Sequence, residues 1–295
     1  MASPAFLPPP ATVGGARRGA AASAAVSTST APTQGLPAVA RRPHRPACLR
    51  MAADEGAGEA PAPIDMDAAF VRLGHKNEVM RKRASLAIAD NRTPDTIDRL
   101  IALLPLDDVA HRRAAVQSLG MIGMDAVPAL SHQLATSTDA TVRASAVKGL
   151  AAVALYFPAE RATFPTVAMD TMEAALTGAP DPVTKLATVG ALGTLGSPTK
   201  GGADDGEAAL PGNARAVAFL IRIADETEDL GVAAVAVGAL ASIGASGERD
   251  AVLPALQALA EKQGGDGSEF IREMAGTHAS NLASGSWAGG GRKTD

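Results

Sequence analysis

The sequence predicts an all-α fold, an α-solenoid of about five two-helix repeats. Three observations lead to this prediction: a helix-like segment recurs five times, its apolar positions keep one register, and no segment shows the sustained alternation of a half-buried strand. Only 3% of the 295 residues are aromatic, and alanine, valine and leucine are abundant instead. Such small side chains suit closely packed helices.

The recurring segment begins with Asp or Asn, and most copies have a basic residue four positions later. The copies start at Asn77, Asp108, Asp139, Asp181 and Asp229. These starts are separated by 31, 31, 42 and 48 residues, so two short units are followed by two that contain insertions. Five starts in one register indicate a repeat architecture.

Each unit has a small residue at its eighth position, an aliphatic residue at its twelfth, and usually another aliphatic at its fifteenth. Spacings of three and four residues place these positions on one helix face. A second helical stretch follows in every unit, over 93–105, 124–136, 165–178, 213–226 and 248–262. Two antiparallel helices per unit, stacked side by side, form an α-solenoid.

The segment 108–123, DVAHRRAAVQSLGMIG, carries a D-x-x-x-R…A-x-x-x-L-G-x-I-G core nearly intact. This pattern resembles the HEAT-like repeat family of armadillo-type solenoids, in the short form found in phycobilisome lyase-type proteins. The resemblance covers roughly residues 70–282. It implies a bilin lyase-type enzyme as one possibility, because family members attach or detach linear tetrapyrroles on phycobiliprotein cysteines. A repeat body without a convergent polar site favours instead a non-catalytic scaffold that holds another protein, since solenoids present long concave surfaces. A chaperone-like assembly factor is a third possibility.

The acid–base pairs of the repeat are predicted to be structural. Each aspartate precedes its helix by one position, where its carboxylate can accept hydrogen bonds from free backbone amides. The basic residue lies one turn later and can meet that aspartate or the equivalent one in the next repeat. The predicted ladder consists of Asp108, Arg112, Asp139, Arg143, Asp181 and Lys185.

An alternative is a basic stripe that binds an acidic partner, made of Arg81, Arg112, Arg143 and Lys185. The paired aspartates would cancel much of the charge of such a stripe, and we therefore favour the ladder.

Residues that could catalyse a reaction or hold a metal do not converge in the sequence. A single cysteine, Cys48, excludes a disulfide framework and cysteine-ligated zinc within one chain. No His-Glu dipeptide occurs, unlike in the deoxyhypusine hydroxylases, a HEAT-repeat enzyme family that binds iron through this motif. His111 and His132 are interpreted as ordinary surface residues. We expect no catalytic residue, no cofactor and no metal.

A pigment site would need basic side chains for the propionates of a bilin. Arg112, Arg113 and Arg143 are the candidates that the lyase alternative would use.

The insertion of the third unit contains the segment 156–165, YFPAERATFP, with the only tyrosine and two of six phenylalanines. We favour a loop whose aromatic side chains pack back on the helices. The alternative is an exposed partner-binding edge formed by Tyr156, Phe157, Arg161 and Phe164. The single tryptophan, Trp287, could also anchor a partner.

The ends of the chain differ in composition from the repeats. Residues 1–51 are predicted to be a chloroplast transit peptide, because the first 50 residues contain six arginines and no acid among many Ser, Thr and Pro. A mitochondrial presequence or an ordinary disordered tail are the alternatives. Residues 52–65 are expected to be a disordered linker, 66–282 the solenoid, and 283–295 a disordered tail. This plan predicts a stromal protein.

Charge and hydropathy restrict the partners. The formal charge is −4, and since residues 1–50 contribute +6, the remainder carries −10 and would repel nucleic acid. The uncharged run 231–247 is long enough to consider as a membrane span, but it aligns with the other repeat helices and is interpreted as a buried helix. We therefore expect another plastid protein as the partner, with no nucleic acid and no membrane span.

Overall fold

The computed structural model describes residues 64–178, 181–199, 209–262 and 268–286, and these ranges contain twelve α-helices. In chain order they are α1 (Met66–Arg72), α2 (Glu78–Asp90), α3 (Thr96–Ile101), α4 (Val109–Ile122), α5 (Val127–Thr136), α6 (Ala140–Tyr156), α7 (Thr166–Gly178), α8 (Pro182–Gly196), α9 (Ala214–Glu226), α10 (Leu230–Ile243), α11 (Arg249–Glu261) and α12 (Ser268–Ser284). The predicted all-α fold is confirmed.

The helices form two layers. In the A layer, each helix packs against the next, in the order α2, α4, α6, α8, α10 and α12. The alternate helices form the B layer, in the order α1, α3, α5, α7, α9 and α11. The five repeat starts give α2, α4, α6, α8 and α10, and the five second stretches give the B-layer helices from α3 onward. The predicted solenoid is therefore present, and α12 adds an A-layer helix that the periodicity did not single out.

The repeat starts cap the A-layer helices. The side chains of Asn77, Asp108, Asp139, Asp181 and Asp229 each occupy an N-cap and accept hydrogen bonds from backbone amides of the first turn. At Asp108 the two distances are 2.8 Å to the amide of Ala110 and 3.1 Å to that of His111. These bonds satisfy amides that have no partner within the helix.

The apolar register forms the core between the layers. The eighth positions are all buried, and the twelfth positions are fully buried: Ile88, Leu119, Leu150, Leu192 and Leu240. The fifteenth positions that the sequence singled out are buried as well: Ile122, Val153, Leu195 and Ile243. One helix stripe therefore provides the contacts to both neighbouring units, as the three–four spacing predicts.

Glycine allows α4 and α6 to approach closely. A Cβ atom at Gly120 would lie 2.5 Å from the Cβ of Ala152, so no larger residue fits without movement. Gly123 ends α4 with a φ of 86°, and the ring of Phe157 fills the space where its Cβ would be. The end of α4 thus packs against the start of the third-unit insertion.

The helical run Leu230–Glu261 has the length and composition of a membrane-crossing helix, with a mean hydropathy of 1.8 in its apolar window, 44% of which is buried. The backbone turns inside this run at Gly247, where φ is 140°. The two resulting helices, α10 with 14 residues and α11 with 13, lie in different layers and are each shorter than the roughly 20 residues of a span. This geometry favours a repeat unit over a span.

Candidate functional site

The predicted ladder contains one ion pair between consecutive repeats. Nη2 of Arg143, in the first turn of α6, lies 2.5 Å from Oδ2 of Asp181, which caps α8. Nη1 of the same guanidinium donates to the carbonyl of Ser137 at 2.8 Å. The two side chains are only 12% and 17% exposed. The structure therefore joins α6 to α8 through a largely buried charge pair.

The other basic ladder residues interact differently. Arg112 donates to the carbonyl of Leu106. Arg81 donates to the carbonyls of His75 and Lys76, each at 2.9 Å. Lys185 makes no hydrogen bond or ion pair with the described residues. The guanidinium groups at this register position thus support the loop before their own helix, and Arg143 alone among them also reaches the next cap.

The environment of Asp181 favours its charged form. Burial raises the pKa of this carboxyl, but hydrogen bonds from the Arg143 side chain and the Thr184 amide outweigh burial and leave the pKa below its ordinary value. At Asp108, the backbone amides of His111 and Ala110 likewise lower the pKa of the carboxyl. Both caps therefore remain negative in mildly acidic solution.

The insertion residue Arg161 is buried and connects three segments. Its Nε donates to the carbonyl of Ala154 at 2.7 Å, and its Nη1 donates to that of Ser197 at 3.0 Å. Its own carbonyl accepts a hydrogen bond from Nδ2 of Asn213 at 2.8 Å, and the Asn213 side chain caps α9. Burial lowers the pKa of Arg161. The Arg161 side chain thus joins the ends of α6 and α8, and its backbone carbonyl joins them to the start of α9.

The three aromatic residues of the same edge are unequally accessible. Phe164 is buried, whereas Tyr156 and Phe157 are half-buried, with Phe157 packed against the core. In this conformation Arg161 and Phe164 offer no free surface to a partner. Of the four residues predicted for a partner-binding edge, Tyr156 and Phe157 alone keep accessible surface.

The B layer carries an ion-pair network that the sequence analysis did not identify. Asp170 and Glu173 of α7 pair with Arg215 and Arg222 of α9, and both guanidinium groups lie within about 5 Å of the Phe219 ring. The sequence shows two acids three residues apart on α7 and two arginines seven residues apart on α9, the next helix of the B layer. It does not show their pairing, because the pairing joins residues 42 to 49 positions apart.

Two grooves border α7. One, of about 490 Å³, lies between α5 and α7 and includes Leu134, Arg143 and Asp170 in its lining. The other, of about 530 Å³, lies between α7 and α9 and includes Asp170, Glu173 and Arg222. The charged side chains named here are held in ion pairs, whereas Glu226, which also lines the second groove, makes no ion pair with the described residues.

Several residues singled out in the sequence lie outside the described ranges. They are the segment 1–63 with His44 and Cys48, residues 200–208 of the second insertion, and the tail from Trp287 onward. Among the described residues, no group of three or more His, Asp or Glu side chains is arranged to hold a metal ion.

Comparison with known proteins gives two sequence matches. Residues 66–151 match the family model for HEAT repeats. Over 219 residues the chain is 34% identical to the "uncharacterized phycocyanin operon protein Z" of Pseudanabaena tenuis (strain PCC 7409), an alignment that covers 74% of this chain and 96% of that protein.

Two of the solved structures to which the chain is similar have identities below 20%. A HEAT-like repeats protein from Thermococcus onnurineus NA1 is 16% identical, with 76% of this chain and 82% of that one covered and a TM-score of 0.39. The CpcE and CpcF complex of phycocyanin lyase from Nostoc sp. PCC7120 is 19% identical, with 76% and 98% covered and a TM-score of 0.25.

Proposed function

The chain belongs to the HEAT-repeat family that includes phycocyanin operon protein Z, and from this premise we propose that it is a non-catalytic scaffold or assembly factor for a phycobiliprotein component in the chloroplast stroma. The observation that carries the proposal is the match to nearly the whole length of that relative. Since the match includes the repeats and not one isolated motif, the solenoid surface is the feature the two proteins have in common.

The polar side chains described above support a binding role. The repeat aspartates are used as helix caps, and Arg143 and Arg161 are used to join consecutive units. The α7 acids beside the two grooves pair with the arginines of α9. A surface whose charges are fixed in this way suits recognition of another protein.

The stromal location rests on sequence composition and ancestry. The first 50 residues are rich in arginine and free of acids, and the relative is cyanobacterial and named for a phycocyanin operon. A plastid-targeted protein of cyanobacterial origin would combine these two features.

Affinity purification tests the proposal. The tagged chain from residue 52 onward is incubated with extract of plastids that contain phycobiliproteins, and the retained proteins are identified by mass spectrometry. The archaeal HEAT-like repeats protein, tagged in the same way, controls for retention by any solenoid. We expect a phycobiliprotein subunit to be enriched with this chain alone. Recovery of the bait without a partner under low-salt conditions contradicts the proposal.

Pigment chemistry provides the second arm of the test. The purified chain is mixed with a free bilin, with and without pigment-free phycocyanin subunits, and absorption spectra are recorded. We expect no spectral change with the chain alone and no covalent pigment on the subunit. Pigment that stays on the subunit after denaturation would establish the bilin lyase-type function instead.

A further inference from the structure

The cationic side chains of the described residues fall into two classes. Most donate to a carboxylate or to a backbone carbonyl, as Arg92 does to Asp125 and Lys262 does to Asp225. Seven make no hydrogen bond or ion pair with any described residue: Arg72, Lys76, Lys82, Arg83, Arg113, Lys148 and Lys185.

Five of these seven lie on consecutive A-layer helices. We call them the cationic face: Lys82 and Arg83 on α2, Arg113 on α4, Lys148 on α6 and Lys185 on α8. The first four are exposed and Lys185 is half-buried. Lys82 and Arg113 occupy the sixth repeat position, and Lys148 occupies the tenth, one turn further along the same stripe. Since A-layer helices contact each other laterally and the B layer behind, this exposed stripe faces outward.

Acidic residues are distributed in the opposite way. Helices α4, α6, α8 and α10 contain no Asp or Glu within their bounds, and the acids that directly precede them are the N-caps, Asp107 and Glu228. The B layer instead contains Asp98 on α3 and the acids of α7, α9 and α11. Helices α4, α6 and α8 thus carry exposed or half-buried cations with no acid within their bounds, although the chain as a whole is negative, whereas α2 carries Lys82 and Arg83 together with the exposed acids Glu78 and Asp90.

Exposed aliphatic side chains lie on the same helices. They are Val109 on α4, Leu155 on α6, and Val183 and Leu186 on α8, with exposed fractions between 38% and 60%. Apolar groups beside free cations provide contact area together with charge, as in the core and rim of a protein–protein interface.

We propose that the cationic face docks a protein partner through a carboxylate-rich surface patch. This inference rests on the proposed function and adds the chemistry of the partner and the side of the solenoid that it contacts. The cations occur once or twice per helix, and neighbouring helix axes lie about 8–10 Å apart. Carboxylates on a folded surface can match this spacing, whereas the net negative charge of the chain opposes the approach of a nucleic acid. The exposed residues named on the face also include no aromatic side chain of the kind that anchors proteins in a lipid interface.

The test compares two charge reversals of equal size. Arg83→Glu/Arg113→Glu changes the face, and Arg72→Glu/Lys76→Glu changes two equally unpaired cations in α1 and the α1–α2 connection. The probe is a fluorescein-labelled poly-glutamate peptide, titrated with the full chain and read by fluorescence anisotropy. We expect the face variant to weaken binding at least about tenfold and the control variant less than about threefold. Added salt should weaken wild-type binding.

Other outcomes overturn the inference. Equal loss in both variants would mean that net charge alone attracts the peptide. Tighter binding of duplex RNA or of phosphatidylglycerol vesicles than of the peptide would replace the protein partner with another class of ligand. Thermal unfolding followed by circular dichroism establishes that both variants fold like the wild type.

Pigment-free phycocyanin subunits separate this inference from the proposed function. If the wild type binds a subunit and the face variant binds it equally well, the docking face is wrong and the proposed function stands. If the wild type binds the peptide through the face but binds no phycobiliprotein, the face stands and the proposed function fails.

Discussion

Arg143 and Asp181 join two consecutive repeats: the guanidinium of one A-layer helix meets the carboxylate that caps the next, with Nη2 and Oδ2 2.5 Å apart. The carboxylate also accepts a hydrogen bond from the Thr184 amide at 2.7 Å. Removing Arg143 therefore leaves a largely buried negative charge without its partner. Loss of one member of such a pair is more harmful than loss of both.

A double-mutant cycle tests this relationship. We expect Arg143→Met to lower the free energy of unfolding by about 2 kcal/mol, and Arg143→Met/Asp181→Asn to lose less than the two single changes added together. Arg112→Met is the matched control, since Arg112 occupies the same register position and donates to a carbonyl alone. Urea denaturation measures the free energies of unfolding of the two single variants and of the double variant. Strict additivity would show that the two side chains are not coupled.

Acid should weaken the same contact. Because the pKa of Asp181 is lowered in the folded state, its contribution to stability is present above the ordinary carboxyl pKa of about 3.9 and is lost as the pH falls below it. Asp181→Asn keeps a capping oxygen but cannot titrate. We expect wild type to lose more stability than this variant between about pH 5 and pH 3. Parallel pH profiles of unfolding would contradict this account.

Leu150 should be a major core contributor and Leu155 should not, although both lie on α6. Leu150 is fully buried, whereas Leu155 is 60% exposed. We expect Leu150→Ala to lower the free energy of unfolding by about 2–5 kcal/mol, and Leu155→Ala to change it by less than about 0.5 kcal/mol. A loss below about 0.5 kcal/mol for Leu150→Ala in a denaturant melt would show that this residue does not face the core.

Two glycine-to-alanine changes should have opposite signs. Alanine is preferred over glycine inside a helix by about 1 kcal/mol. At Gly190, where no atom lies within 4 Å of the added Cβ, we expect that gain to appear as increased stability. At Gly120, the added Cβ would meet the Cβ of Ala152, and we expect a net loss. Differential scanning calorimetry of both variants measures the sign, and stabilisation by Gly120→Ala would mean that α4 and α6 can separate at little cost.

Replacing Arg161 with lysine should loosen the insertion. Lysine cannot donate to the Ala154 and Ser197 carbonyls in the same fork geometry, and a buried acceptor would lose its donor. We expect a loss of about 2 kcal/mol. Arg113→Lys, at an exposed position without hydrogen bonds, serves as the control and should change stability by less than about 0.5 kcal/mol. Equal stability of the two variants in urea would contradict a clamping role for Arg161.

Local features of the fold were predictable from the sequence, while contacts between consecutive units were predictable only in part. The caps at Asp108 and Asp139 and the buried Leu150 follow from spacings of at most four residues, which one helix fixes by itself. The repeat register allowed Arg143 to meet either Asp139 or the next aspartate, Asp181, and the choice of Asp181, 38 positions away, depends on how the third-unit insertion folds. Arg161 was considered as a contact for a partner, and its burial results from that same insertion.

The unpaired cations could not be identified from the sequence pattern. The basic stripe that the sequence offers as an alternative uses the fifth repeat position, where Arg112 and Arg143 are held by backbone carbonyls or a carboxylate. Apart from Lys185, the unpaired cations of the cationic face lie one, two or five positions later, as Arg113 and Lys148 show. These positions lie on a different side of the helix from the fifth position, and sequence spacing alone does not distinguish a paired guanidinium from an unpaired one.

The central claim is that this HEAT-repeat chain binds a phycobiliprotein component without modifying it. Size-exclusion chromatography with light scattering, applied to the chain mixed with pigment-free phycocyanin subunits, tests it most directly. We predict one co-eluting species whose mass is the sum of its components, and no pigment on the subunit after a free bilin is added. Separate elution of the two proteins, or covalent attachment of the bilin, would contradict the claim.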